Sequence, residues 1–254
     1  MSLIDILNAK VASNLDAAFA SEIPKHVGIA VSGGGDSMAL LHLTRAWASV
    51  RNVTLSAITI DHNLRDGSAE EVARVAQWCA ELGILHTARV WRDWDHKGNL
   101  QDAARQARYR MINDWRGDIE HILIGHTSDD QAETLLLRLK RGSGVDGMTG
   151  MKPVADHPCG MTLIRPLLNI MRQDLRDYLV ACDQSWFDDP SNDNAAFDRI
   201  AMRPLLPQLK SAGISLDRFA LMATHMQRAK DALDHTAQDV FQTIGRQQGT
   251  DLIF

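Results

Sequence analysis

Ser32-Gly33-Gly34-Gly35-Asp36-Ser37 decides how the rest of the chain is read. The hexapeptide follows a short apolar run at 27–31 and precedes a helical pattern that reaches about residue 50. Three consecutive glycines let backbone amides approach a phosphate, and the amino end of the next helix adds the positive end of its dipole. Ser32 and Ser37 can donate hydroxyls, while Asp36 can hold a divalent cation or orient a nucleophile. No Gly-Lys-Ser/Thr follows, so the loop is not of the Walker type and brings no lysine to a terminal phosphate. The competing reading is a flexible turn capped by Asp36 or Ser37. The strand before it, the glycines and the flanking serines together favour a phosphate cradle.

Outward from the loop, strand and helix alternate. Residues 53–60 are β-rich and end at Asp61 and His62, 68–82 read as helix, and 84–90 as strand. Asn99 opens a helix to about Trp115, 121–125 read as strand, and 128–141 as helix. Four strands separated by helices predict an α/β fold: a doubly wound, Rossmann-like parallel sheet with right-handed crossovers. After Gly142 come a Gly/Met-rich loop, a hairpin around 151–164, and a helix over 171–182. The 188–194 linker leads into a helical pattern that runs to about Arg246. The expected domains are 1–190, carrying the loop, and 191–248, small and helical. Residues 249–254 begin a further region, because Gly249-Thr-Asp-Leu-Ile-Phe254 reads as a turn entering a strand without a partner. The chain is therefore expected to be truncated.

The 254 residues are 45% hydrophobic and 23% charged, the balance of a soluble globular protein, which excludes a disordered or collagen-like chain. No apolar run approaches the ~20 residues that span a bilayer. The opening MSLIDILNAK carries Asp5 and lacks an apolar core, so it is no secretory signal. Cys79, Cys159 and Cys182 lie far apart without a CxxC, which suits a reducing compartment and disfavours a disulfide scaffold or thiolate zinc site. A cytoplasmic protein with no membrane partner is expected. The net charge of −5 is unevenly spread: 199–230 carries +5 and the remainder −10. Arg138, Lys140, Arg141 and Lys152 form a second basic cluster, offset by Asp146. Charge alone favours solvated helix faces over an anionic polymer partner.

The segment His126-Thr-Ser-Asp-Asp130-Gln131 lies where the fourth strand meets its helix. Ser128 and Gln131 have the spacing of a capping box, and carboxylates in a first turn suit the dipole. Yet Asp36, Asp61, His62, His126 and Asp130 all fall on the carboxyl edge of the sheet, where open α/β folds bind ligands. Caps do not require two histidines and three carboxylates there. Arg105 and Arg108 flank the apolar stripe Leu100, Ala103, Ala104, Ala107 and Met111. Beside a phosphate edge they would neutralise developing charge. Gly142-Ser-Gly144-Val-Asp-Gly147 matches GxGxxG but follows a helix, so it lacks the context of a dinucleotide site.

Together these residues resemble a known family. SGGGDS, DHNLRDGSAEE (61–71), LQDAARQARYR (100–110), GHTSDDQAETLLLRLKRGSGVDGMTGM (125–151), IRPLL (164–168), and DDPSN with FDRIAMRPLLP (188–207) resemble the bacterial tRNA(Ile)-lysidine synthetases. Those enzymes belong to the PP-loop ATP pyrophosphatases. The resemblance implies that ATP activates carbon 2 of the wobble cytidine in tRNA(Ile) with a CAU anticodon. The ε-amine of L-lysine then displaces AMP. It implies ATP at Ser32, Gly33, Gly34, Gly35, Asp36, Ser37, Asp61, His62 and His126. Magnesium would lie near Asp36, and Asp130 would serve magnesium or the incoming lysine amine. Arg105 or Arg108 would stabilise the adenylation, and Arg108, Glu133, Arg138, Arg141, Arg199 and Arg203 would face substrate or tRNA. A homodimer suits a protein of this kind. Asn63 departs from the family pattern, as do Ala201 and Pro204. Many members continue into a carboxyl-terminal domain that grips the tRNA acceptor stem.

Other readings have other signatures. A cluster-dependent tRNA thiolase needs paired cysteines, and a glutamine-dependent synthetase needs a glutaminase. A nucleotide-binding module without turnover would not need Asp36, Asp130 and the arginine pair. A metalloenzyme built on His62 and His126 lacks HxxEH-type spacing.

Overall fold

The computed structural model describes all residues except 64–66, 95–96, 189–201, 245, 249–250 and 254, and only the backbone of 246–248 and 251–253. In order the elements are α1 (Leu3–Ala18), β1 (His26–Ala30), α2 (Gly35–Ser49), β2 (Thr54–Asp61), α3 (Ser68–Glu81), β3 (Leu85–Val90), α4 (Leu100–Arg116) and β4 (His121–Leu123). There follow α5 (Ser128–Lys140), α6 (Val145–Met148), β5 (Val154–Asp156), β6 (Thr162–Ile164), α7 (Arg172–Ala181), α8 (Leu205–Ser211), α9 (Leu216–Ile244), β7 (Arg246–Gln248) and β8 (Asp251–Ile253). Two compact units are distinguished, Met1–Ser128 with Lys152–Asn192, and Asp129–Met151 with Asp193–Phe254.

The first unit is built on a six-stranded sheet of order β3-β2-β1-β4-β6-β5. Five strands are parallel and β5 runs antiparallel to β6 at one edge. The chain winds from β1 through β2 to β3, then returns to the other side of β1 as β4. That reversal puts the topological switch point between β1 and β4, and the Ser32–Ser37 loop leaves β1 there. The doubly wound expectation holds, with one addition: β6, expected only as half of a hairpin, is the fifth parallel strand.

Successive strand residues face opposite ways, so the sheet feeds two cores. Leu123 and Ile164 join Leu40, Leu41 and Leu175 on one face, while Ile122 and Leu163 meet Tyr109 and Ile112 of α4 on the other. Helix α1 is an element beyond those expected. It starts at a Ser2–Asp5 capping box and buries Leu7, Val11 and Leu15, four residues apart. Asn14 and Lys10 fasten it to the carbonyls of Pro166 and Asn169, at 2.7 and 2.8 Å.

The second unit is helical. Residues 129–151 group with the carboxy-terminal helices, which a single cut at 190/191 does not foresee. Two ion pairs lie within this unit: Glu133 with Arg203 at 2.8 Å, and Asp146 with Lys230 at 2.9 Å. Helix α6 starts at Val145, inside the GxGxxG stretch, where the sequence pattern suggests none; the stretch still follows a helix and not a strand. At the carboxyl end β8 pairs antiparallel with β7. The strand expected to begin within 249–254 therefore has a partner, which the helical reading to Arg246 conceals.

Candidate functional site

In the first unit the loop is a rigid frame. Ser37 Oγ donates to the Gly34 carbonyl at 2.8 Å and accepts from the Ser32 amide at 3.1 Å. Gly33 has φ +86°, and a Cβ there would lie 2.8 Å from Val75 and 2.9 Å from Phe187, so conformation and space both demand glycine. The Phe187 amide donates to the Gly33 carbonyl at 2.9 Å, and Trp186 lies against Gly35. Gly34 opens α2 without a side-chain cap, so no side-chain oxygen of the cap residue occupies the amino end of the helix. Gly125, just past β4, is close to the start of α2; a Cβ would sit 3.2 Å from the Asp36 backbone. Strand β4 can approach the loop this closely only with glycine at that position.

Asp36 is ion-paired with Arg172 at 3.0 Å, both side chains about a fifth exposed. Arg172 opens α7, where a cation opposes the helix dipole. That anomaly is the signal in the sequence that could have named it. Asp61, expected to touch nucleotide, closes the turn after β2 by accepting from the Asn63 amide at 2.7 Å and from Ser68 Oγ at 3.3 Å. His62 stands edge-on to Trp91 and meets an Arg108 guanidinium nitrogen at 3.3 Å. A guanidinium only donates, so Nε2 of His62 is the acceptor and its proton sits on Nδ1. Burial, and then Arg108, push the His62 pKa down to about 4. Arg105 lies over the Tyr109 ring at 5.0 Å. His126 Nδ1 accepts from Arg165 at 3.2 Å, a partner that sequence reasoning does not single out.

The second unit holds Asp130, Glu133, Arg138, Arg141 and Arg203. The Glu133 side chain is 1% exposed and takes a hydrogen bond from Arg203 Nε. Arg138 donates to the carbonyls of Gly147 and Gly150, at 2.6 and 3.0 Å. Gln131 clasps the Met151 backbone at both its N–H and its C=O. In the first unit the Ser128 amide and hydroxyl both donate to the Ile170 carbonyl. Arg141 is exposed, and Arg199 lies outside the described residues.

Sheet order and loop define the class: a doubly wound α/β domain with a glycine-rich turn at its switch point. Residues 7–209 match the model of the PP-loop domain. The chain belongs to the PP-loop family. It is 44% identical over 234 residues to tRNA(Ile)-lysidine synthase of Ruegeria pomeroyi, covering 91% of this chain and 56% of that protein. It is 45% identical over 186 residues to tRNA(Ile)-lysidine synthase of Hyphomonas neptunium, with 71% and 50% covered. The chain thus spans about half the length of the curated relatives it matches. Among solved structures it is similar to the U34-tRNA thiolase NcsA from Methanococcus maripaludis, with TM-score 0.75 at 17% identity over 89% of this chain and 78% of that one. NMN synthetase from Francisella tularensis gives 0.54 at 12%, over 89% and 94%. These two likenesses speak to fold alone. Among the described residues no helix is long and apolar enough to cross a membrane.

Proposed function

We propose that the chain carries the catalytic part of a cytoplasmic tRNA(Ile)-lysidine synthase. ATP and L-lysine would act on the wobble cytidine of tRNA(Ile) bearing a CAU anticodon. Oxygen 2 of the base attacks the α-phosphorus and pyrophosphate leaves; the lysine ε-amine then attacks carbon 2, and AMP departs with that oxygen. The observation that carries this reading is sequence identity of 35–45% to proteins of that name, extending over most of the chain. A homodimer belongs to the same reading.

The loop suits ATP. Uncapped amides at the start of α2, hydroxyls of Ser32 and Ser37, and Gly33, which admits no Cβ, make a cradle for phosphate oxygens. The loop brings no Walker lysine to the terminal phosphate, which suits a reaction whose leaving group is pyrophosphate. Among the described residues no three His, Cys, Asp or Glu gather to hold a metal unaided. Magnesium would therefore rely on phosphate oxygens, its ordinary mode, with Asp36 and Asp130 as the carboxylates. Arg105 and Arg108 would face charge developing at the α-phosphate. Glu133, Arg138, Arg141, Arg199 and Arg203 would serve lysine or tRNA.

A thiolase reading is disfavoured by the cysteines, which do not gather: Cys79 is buried, Cys159 exposed and Cys182 half-buried. The test is pyrophosphate release from ATP and magnesium with tRNA(Ile), with tRNA(Met) as control. Release that requires tRNA(Ile), followed by AMP release only when lysine is added, is the expected result. AMP release without lysine would mean a different nucleophile.

A further inference from the structure

Arg165 is the first residue after β6, at the carboxyl end of a strand lying parallel to β4. It interrupts the run Leu163-Ile164-Arg165-Pro166-Leu167-Leu168 and is itself only 8% exposed. Its Nε donates to His126 Nδ1 at 3.2 Å and its Nη1 to the Lys152 carbonyl at 2.8 Å. Both acceptors are neutral, since a nitrogen that accepts from a guanidinium carries no proton. The ionisable groups that act on it are Tyr109 and Arg105, and the second is a like charge. Among the described residues no carboxylate pairs with it, and its Nη2 is neither hydrogen-bonded nor sealed from solvent.

A buried cation without a counter-ion is costly, because the protein interior does not replace the water it gave up. Burial, with Arg105 nearby, pulls the Arg165 pKa below its ordinary value, though not far enough to discharge a guanidinium. Such a group is tolerated where a ligand brings the anion. Its position agrees: the carboxyl edge of the sheet binds ligands in this architecture.

We propose that Arg165, aimed by His126 and the Lys152 carbonyl and seconded by Arg105, is an anion-binding residue that receives a phosphate oxyanion at the β4–β6 edge. Two guanidiniums of like charge suit a multiply charged phosphate better than a single carboxylate, which would leave net positive charge buried. His126 thereby becomes a positioning residue, because its Nδ1 fixes the plane of the Arg165 fork.

The phosphate has two sources in the proposed reaction, ATP or the RNA backbone, and this inference rests on that reaction. Calorimetric titration of the full chain with MgATP, inorganic pyrophosphate and a tRNA(Ile) anticodon stem–loop separates them. Arg165→Met is expected to weaken MgATP and pyrophosphate about tenfold or more, the usual scale for a charged hydrogen bond. The unliganded melting temperature should hold or rise, since an uncompensated charge has been removed. Arg165→Lys should recover part of the affinity by restoring charge without the fork. A loss confined to the stem–loop, with a shallower salt dependence, supports the site and makes the phosphate that of RNA. The proposal is overturned if no phosphate probe changes, if only saturation by L-lysine changes, or if the lysine variant binds no better than the methionine variant. Wild-type protein that binds neither MgATP nor stem–loop would instead overturn the proposed function.

Discussion

Asp36 and Arg172 show how one side chain can carry two accounts. Asp36 sits in the first turn of α2, where a carboxylate favours the dipole, and its 3.0 Å pair with Arg172 ties α2 to α7. The pair is partly solvated, so it contributes about 1 kcal/mol or less to stability. Asp36→Ala should therefore abolish pyrophosphate formation while shifting the melting temperature only a few degrees; a collapse of the fold would favour the structural account. His62 supplies a pH dependence. Its folded pKa of about 4 lies below the ordinary 6.5, so the unfolded chain binds its proton first as pH falls. The stability it contributes is complete above 6.5 and is lost on descent toward 4. Burial moves His42 and His86 the same way. Urea midpoints measured between pH 7 and 4.5 should fall, and His62→Gln should flatten part of that fall.

At the scale of elements, the loop and α1 are set by different physics. Gly33 is fixed by a positive φ and by Val75 and Phe187, so Gly33→Ala should displace the loop and lower MgATP affinity at least tenfold. Equal affinity by titration would mean the strand–helix turn is more compliant than its packing implies. Helix α1 is held by burial: Leu15 is 0% exposed, and Leu15→Ala should cost about 2–5 kcal/mol in urea denaturation. Leu233 of α9 is 59% exposed, and the same truncation there should cost under about 0.5 kcal/mol.

Over the whole molecule, charge separates by segment. The basic stretch at 199–230 is partly committed to structure, since Arg203 holds the buried Glu133 and Lys230 holds Asp146 and Asp234. Reversing Arg203 would perturb the helical unit as well as any RNA contact. Lys210, Arg218 and Arg228 are exposed and give the cleaner test. The triple change to glutamate should weaken tRNA(Ile) binding and lower its salt slope by about 0.9 for every phosphate no longer neutralised. An unchanged slope in filter binding would make this stretch a solvated face.

Local signals in the sequence determined the parallel sheet, the glycine loop and its non-Walker character. Each rests on neighbours in the chain: apolar runs of strand length, glycines in series, a turn lacking the lysine of a Walker loop. The same kind of signal, Ser2 with Asp5 and the 7/11/15 spacing, marks α1. Which side-chain acceptors meet which guanidiniums could not be read that way. Asp36 with Arg172, His126 with Arg165 and Glu133 with Arg203 join residues far apart in sequence. The tertiary structure alone decided those pairs, because burial makes a charge costly wherever the fold happens to place its partner, and sequence spacing carries no record of that placement.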